Sequence, residues 1–100
     1  MKMKVIIKHP GQRPYVTNIS TTLKNLQISV NGYIETVFLQ NDLVVICNEE
    51  GLLQNLPHNC CVEGIDFVGT IIFIGKQGEE FSDIPCEFQQ FKKLYHHLFE

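Results

Sequence analysis

One hundred residues with 44% hydrophobic side chains are enough for one core and too few for two. Eight Lys and Arg against eleven Asp and Glu leave a net charge of −3, which does not supply the basic surface that extended DNA or RNA needs. No apolar run reaches the roughly 20 residues of a membrane span or the roughly 7–15 of a secretory signal, so the expectation is a single domain over residues 1–100, off the membrane, in a reducing cytoplasm, with its four cysteines as thiols.

Residues 3–8 form a short β-rich run, and Pro10-Gly11 is a turn signal before a second such run at 15–19, so the two read as a hairpin. Ser20-Thr21-Thr22 can cap a helix whose apolar face is Leu23, Leu26 and Val30, and Asn31-Gly32 can end it in the left-handed conformation. Residues 33–40 and 43–47 are β-rich and separated by Asn41-Asp42, the spacing of a tight hairpin. The second of them is apolar on both alternating faces, which predicts a central strand. Asn48-Glu49-Glu50-Gly51 reads as a turn with glycine at positive φ. Residues 52–64 are rich in turn formers, with Leu52, Leu53 and Leu56 available to pin a loop to the core. Residues 66–74 read as one buried strand, with Gly69 marking a bulge or a close approach. Beyond a turn at 75–78, Pro85 suits the first turn of a long final helix carrying Phe88, Phe91, Leu94, Tyr95, Leu98 and Phe99. The order β-β-α-β-β-β-α predicts an α+β fold: a mostly antiparallel sheet of about five strands with two helices packed on one face.

The four cysteines and four histidines suggest a metal, but Cys60-Cys61 and His96-His97 are adjacent pairs whose side chains diverge. Structural zinc wants ligands spaced so that they converge, so no metal is expected. His58 lies close to Cys60, yet a catalytic thiolate also needs an orienting group and an oxyanion hole. Glu49-Glu50 and Glu79-Glu80 read as solvated turns. Phosphate-loop, dinucleotide and nucleophile-elbow motifs are missing, so neither catalytic residues nor a cofactor is expected. Lys2, Lys4, Lys8 and Arg13 near the start, with Lys92 and Lys93 near the end, leave room for a small anion.

Gly32-Tyr33-Ile34-Glu35, Asn48-Glu49-Glu50-Gly51-Leu52, Leu56-Pro57-x-Asn59 and Ile65-x-x-x-Gly69-Thr70 together resemble the signature of a family of similar length, a domain of unknown function. That family is carried by bacteriophages, plasmids and other mobile elements of Gram-positive and gut bacteria. The likeness runs from the first strand to the final helix, although His58-Asn59-Cys60-Cys61 is poorer in charge than the corresponding stretch of the family. The resemblance implies a small non-catalytic binding protein acting in counter-defence, which blocks a host defence protein or sequesters a small nucleotide-like signal. It also implies a ligand- or partner-binding set of Tyr33, Glu35, Asn48, Glu49 and Asn59. A ligand pocket there would be lined by Tyr33, the 48–51 turn and the 56–61 loop, and completed by a second subunit of a homo-oligomer. Glu35 and Glu49 favour hydroxyl or amine groups over phosphate. The alternatives are a small enzyme or modulator of a host enzyme with a cleft near Cys60 and Cys61, a structural accessory protein, and a bracing role for the same five polar residues.

Overall fold

The computed structural model describes residues 2–100. The chain runs β1 (Lys2–Lys8), β2 (Tyr15–Ser20), α1 (Leu23–Val30), β3 (Ile34–Phe38), β4 (Leu43–Asn48), β5 (His58–Val62), β6 (Ile65–Val68), β7 (Ile71–Gln77), β8 (Glu80–Ser82), α2 (Phe88–Leu94) and a 3-10 turn (His96–Phe99). A six-stranded sheet has the order β2-β1-β7-β4-β3, with β8 paired to β7, and β5-β6 form a separate two-stranded hairpin. Every pairing is antiparallel. The architecture is therefore the α+β class expected from the sequence.

Local signals behave as read. Gln12 N–H closes the first hairpin on the His9 carbonyl oxygen at 3.1 Å. Thr22 Oγ1 accepts the Asn25 N–H at 3.3 Å and caps α1, and Asn31 ends that helix at φ 65°. Asn41 and Asp42 both sit at φ 61°, the conformation that lets two residues join twisted strands.

The two helices lie on opposite faces of the sheet, a correction to the expectation of one shared face. Leu43, Val45, Ile6, Ile71 and Phe73 point to one side, where Phe91, Tyr95 and Leu98 of the C-terminal helical segment meet them. Val44, Ile46, Val5, Ile7, Ile72 and Ile74 point to the other side and meet Leu26 and Val30 of α1. Strands apolar on both alternations have two faces to remove from water, and one layer of helices covers only one of them.

Four further expectations change. Residues 66–74 are two strands, because Gly69 at φ 72° turns the chain out of β6 and into β7. A side chain on Gly69 would sit 2.8 Å from Leu56 Cδ1, so the close approach expected there does exist. The 52–64 stretch contains β5, and Leu52 and Leu53 are 79% and 81% exposed, leaving Leu56 alone as the partly buried leucine of that loop. Gly51 is absent from the positive-φ glycines; it is needed because Val68 Cγ2 lies 2.6 Å from where its Cβ would be. The final helix starts after Glu87, two residues beyond Pro85, and breaks at Tyr95 (φ −126°, ψ 47°) into the 3-10 turn. Among the described residues no helix is long and apolar enough to cross a membrane.

β8 was not legible in the sequence, and it is packed so tightly on β7 that a Cβ on Gly75 would fall on the Asp83 carbonyl oxygen. Gly75→Ala is expected to destabilise the protein by about 2–3 kcal/mol through this backbone clash. Gly78→Ala, at φ 64° with open space around it, should cost only about 1–2 kcal/mol. Urea denaturation of both variants checks this, and equal losses would rule out the steric account.

Candidate functional site

β4 is buried along its whole length and ends on Asn48, which is 5% exposed. The last carbonyls of α1 have no helical partner, and Asn48 supplies one. Its Nδ2 donates to the Val30 and Asn31 carbonyl oxygens at 3.0 and 3.1 Å and lies 3.2 Å from Gln54 Oε1. Its Oδ1 accepts the Glu50 N–H at 2.7 Å. One side chain thus ties the end of α1, the end of β4 and the following turn. Gly32 makes room for it, since a Cβ there would sit 2.7 Å from Asn48 Nδ2. The Glu49 N–H donates to the Tyr33 carbonyl oxygen at 2.8 Å, which fixes the turn against the start of β3 and leaves the Tyr33 ring 66% exposed.

This braced turn forms one wall of a groove of about 450 Å³, closed on the other side by β3 and β6. Glu35, Glu49, Glu50 and Asp66 line it beside Leu52, Leu53 and Ile65, and none of its lining residues is Lys or Arg. Asp66 Oδ1 lies 3.4 Å from His58 Nε2 on the exposed side of the hairpin. Burial, with Glu35 nearby, pushes the Cys47 thiol beneath the groove up to about 11.

Asn59 stands apart from the other four expected site residues. It lines a second cleft of about 500 Å³, with Lys8, Arg13, Cys60, Cys61 and His97. Its Nδ2 donates to the Lys8 and Gly69 carbonyl oxygens at 2.8 and 2.7 Å, joining the end of β1 to the β6–β7 corner. The single pocket expected from Tyr33, the 48–51 turn and the 56–61 loop is therefore divided between two seams. Glu35, Asn48 and Glu49 line the first, Tyr33 flanks it through its backbone, and Asn59 belongs to the second.

Burial pushes Cys60 up to about 11 despite the opposing effect of Lys8, so it is a neutral thiol at physiological pH. His58 faces Asp66, and His97 Nε2 donates to the Cys61 carbonyl oxygen at 2.8 Å. Among the described residues no group of three or more His, Cys, Asp or Glu side chains is placed to hold a metal ion. Sequence reasoning treated Lys8 and Arg13 only as part of a loose basic cluster, and it placed Leu52 and Leu53 against the core. Lys8 had a usable signal: it follows Ile6 by two on β1 and so shares its buried face.

The family of proteins described as a domain of unknown function, DUF3846, matches residues 3–98, and the chain belongs to that family. No curated protein and no solved structure matches it.

The bonds of Asn48 make it a brace first. Asn48→Ala strands two helix-end carbonyls and an amide, and is expected to lower stability by about 2–4 kcal/mol. Tyr33→Ala and Glu49→Ala, both exposed, should stay within about 0.5 kcal/mol of the parent. Denaturation midpoints of the three variants decide the point; a stable Asn48→Ala would remove the brace. A pH dependence follows from Cys47 and Cys60, whose protons are held to about 11 in the fold against the ordinary 9.0. Between those values the unfolded chain binds fewer protons than the native state, so this stability is complete below pH 9.0 and is lost as pH rises through about 11. Urea midpoints taken across that window should fall, and Cys60→Ala should flatten the fall.

Proposed function

We propose that this DUF3846 protein is a non-catalytic binding module that docks a basic segment of a partner protein in the groove between β3, the 48–53 turn and β6. The carrying observation is the pair Leu52 and Leu53, 79% and 81% exposed on a turn whose backbone is held in place. Gln54 N–H donates to the Glu50 carbonyl oxygen at 2.9 Å and Leu56 N–H to that of Gly51 at 3.0 Å, so these leucines stand in water on a fixed support. Exposed apolar side chains in one patch favour association, because a partner removes them from water.

The charge of the groove selects the partner. Glu35, Glu49, Glu50 and Asp66 repel phosphates and attract Lys or Arg, and β3 is an edge strand on which a protein segment can lie. Of the partners implied by the family resemblance, a host defence protein suits this groove better than a nucleotide-like signal does. The mobile-element setting of the resembling family supports counter-defence as the purpose of the docking.

Selecting a displayed random-peptide library on the immobilised protein tests the reading. Enriched peptides should carry Lys or Arg beside apolar residues, and Leu52→Asp or Glu49→Lys should weaken their binding about tenfold or more without unfolding the protein. Enrichment of acidic peptides, or binding indifferent to both substitutions, would reject the groove. In cells whose defence restricts a phage, the parent protein should raise plating efficiency and Leu52→Asp should not.

A further inference from the structure

β1 ends on a lysine where its alternation calls for a core residue. Ile6 is fully buried, and Lys8, on the same face, is 5% exposed. The Lys8 ammonium donates to the His9 carbonyl oxygen at 3.1 Å, and among the described residues no carboxylate forms an ion pair with it. Lysine is seldom buried to this extent without a counter-charge, because removing an ammonium from water opposes folding.

The surroundings of Lys8 supply more positive charge and open space. The cleft that it lines takes Arg13 from the β1–β2 loop, Asn59 and Cys61 from β5, and His97 from the 3-10 turn, with Glu100 as the single acidic residue of its lining. His97 donates its Nε2–H to the Cys61 carbonyl oxygen, which leaves its Nδ1 as an acceptor. Gly11 also lines the cleft, and nothing lies within 4 Å of where its Cβ would be, so a ligand can approach the backbone there. The Asn59 Oδ1 is buried without a hydrogen-bond partner beside the same cleft; as an acceptor it can meet a phosphate only through a P–OH group.

We propose that this cleft binds a phosphate group, with the Lys8 ammonium as its buried counter-charge and the Arg13 guanidinium closing over it. A lysine point charge beside an arginine fork is a common solution for phosphate oxygens. A cleft of about 500 Å³ holds more than the phosphate, so the group arrives either as the free ion or on a larger molecule. The cleft shares no lining residue with the acidic groove, so the two readings stand or fall separately.

Thermal melts of the full chain in inorganic phosphate, pyrophosphate or a nucleoside 5′-monophosphate, against chloride at matched ionic strength, test the proposal. A saturable rise in melting temperature is expected with phosphate-bearing probes. Lys8→Met, which keeps the apolar stem and removes the unpaired charge, should melt at or above the parent without phosphate and lose the phosphate-dependent rise. Arg13→Gln, on an exposed loop, should fold as the parent does and bind phosphate about tenfold more weakly. Equal affinity for the free ion and the nucleotide identifies inorganic phosphate as the ligand; tighter nucleotide binding identifies a phosphorylated molecule. No rise over chloride with any probe, or a rise that both variants retain, overturns the site. A Lys8→Met protein that melts well below the parent makes the ammonium a brace and overturns it as well.

Discussion

The middle of this sheet is apolar on both sides, and the remaining elements are placed by the need to cover it. β1, β4 and β7 carry Ile6, Leu43, Val45, Ile71 and Phe73 to one face, and Val5, Val44, Ile46, Ile72 and Ile74 to the other. α1 covers the second face with Leu26 and Val30. The first face is too wide for α2 and its 3-10 extension. The β5–β6 hairpin completes the cover by laying Cys60, Val62 and Phe67 beside Phe91 and Tyr95. Burial of this kind, at roughly 25 cal/mol per Å² of apolar surface, is the main force favouring the fold.

A two-stranded hairpin is marginal alone, so this one depends on its attachments. At its tip, Glu63 accepts the Tyr95 hydroxyl at 2.6 Å and the Gln40 N–H at 3.2 Å, joining the hairpin to the helical segment and to the β3–β4 turn. At its base, Asn59 bridges the Lys8 and Gly69 carbonyls, and the Gly69 N–H donates to the Pro57 carbonyl oxygen at 2.8 Å. Burial and the Glu63 contact both hold the Tyr95 hydroxyl protonated above its ordinary range, as expected for a hydroxyl that donates to a carboxylate. With tip and base both pinned, the two long sides of the hairpin remain as seams. The β6 side opens onto the acidic groove and the β5 side onto the cleft around Lys8.

Local chemistry was readable in the sequence, and long-range competition was not. Thr22, Asn31, Asn41-Asp42 and Pro10-Gly11 act within a few residues of themselves, and each does what its side chain or φ preference dictates. The double apolar alternation of 43–47 and 66–74 was also visible, but its consequence for helix placement was missed. β5 escaped because His58-Asn59-Cys60-Cys61 alternates weakly, and it is a strand only through its pairing with β6. The final helix looked longer than it is because Phe91, Tyr95 and Leu98 keep a three-to-four spacing across the break at Tyr95, and a 3-10 turn presents nearly the same face. Of the site residues, Asn48 and Asn59 were legible as important polar positions. Their work as braces depends on carbonyls up to 51 residues away in sequence, which no local pattern announces.

Net charge concealed the electrostatics that matter. A total of −3 suggests a mildly acidic and featureless surface. In the fold, four carboxylates face one seam without a cationic residue among them, while Lys8 and Arg13 face the other with Glu100 as the only acid. Low-dielectric walls strengthen fields inside clefts, so each seam acts on approaching molecules with its own sign. The hairpin that covers the core therefore also separates charge: its β6 side is lined by carboxylates, and its β5 side by Lys8 and Arg13. Because Lys8 belongs to β1 and is buried with the core, the positive side of this arrangement is set by the central sheet itself, whereas the negative side rests on a turn held by Asn48.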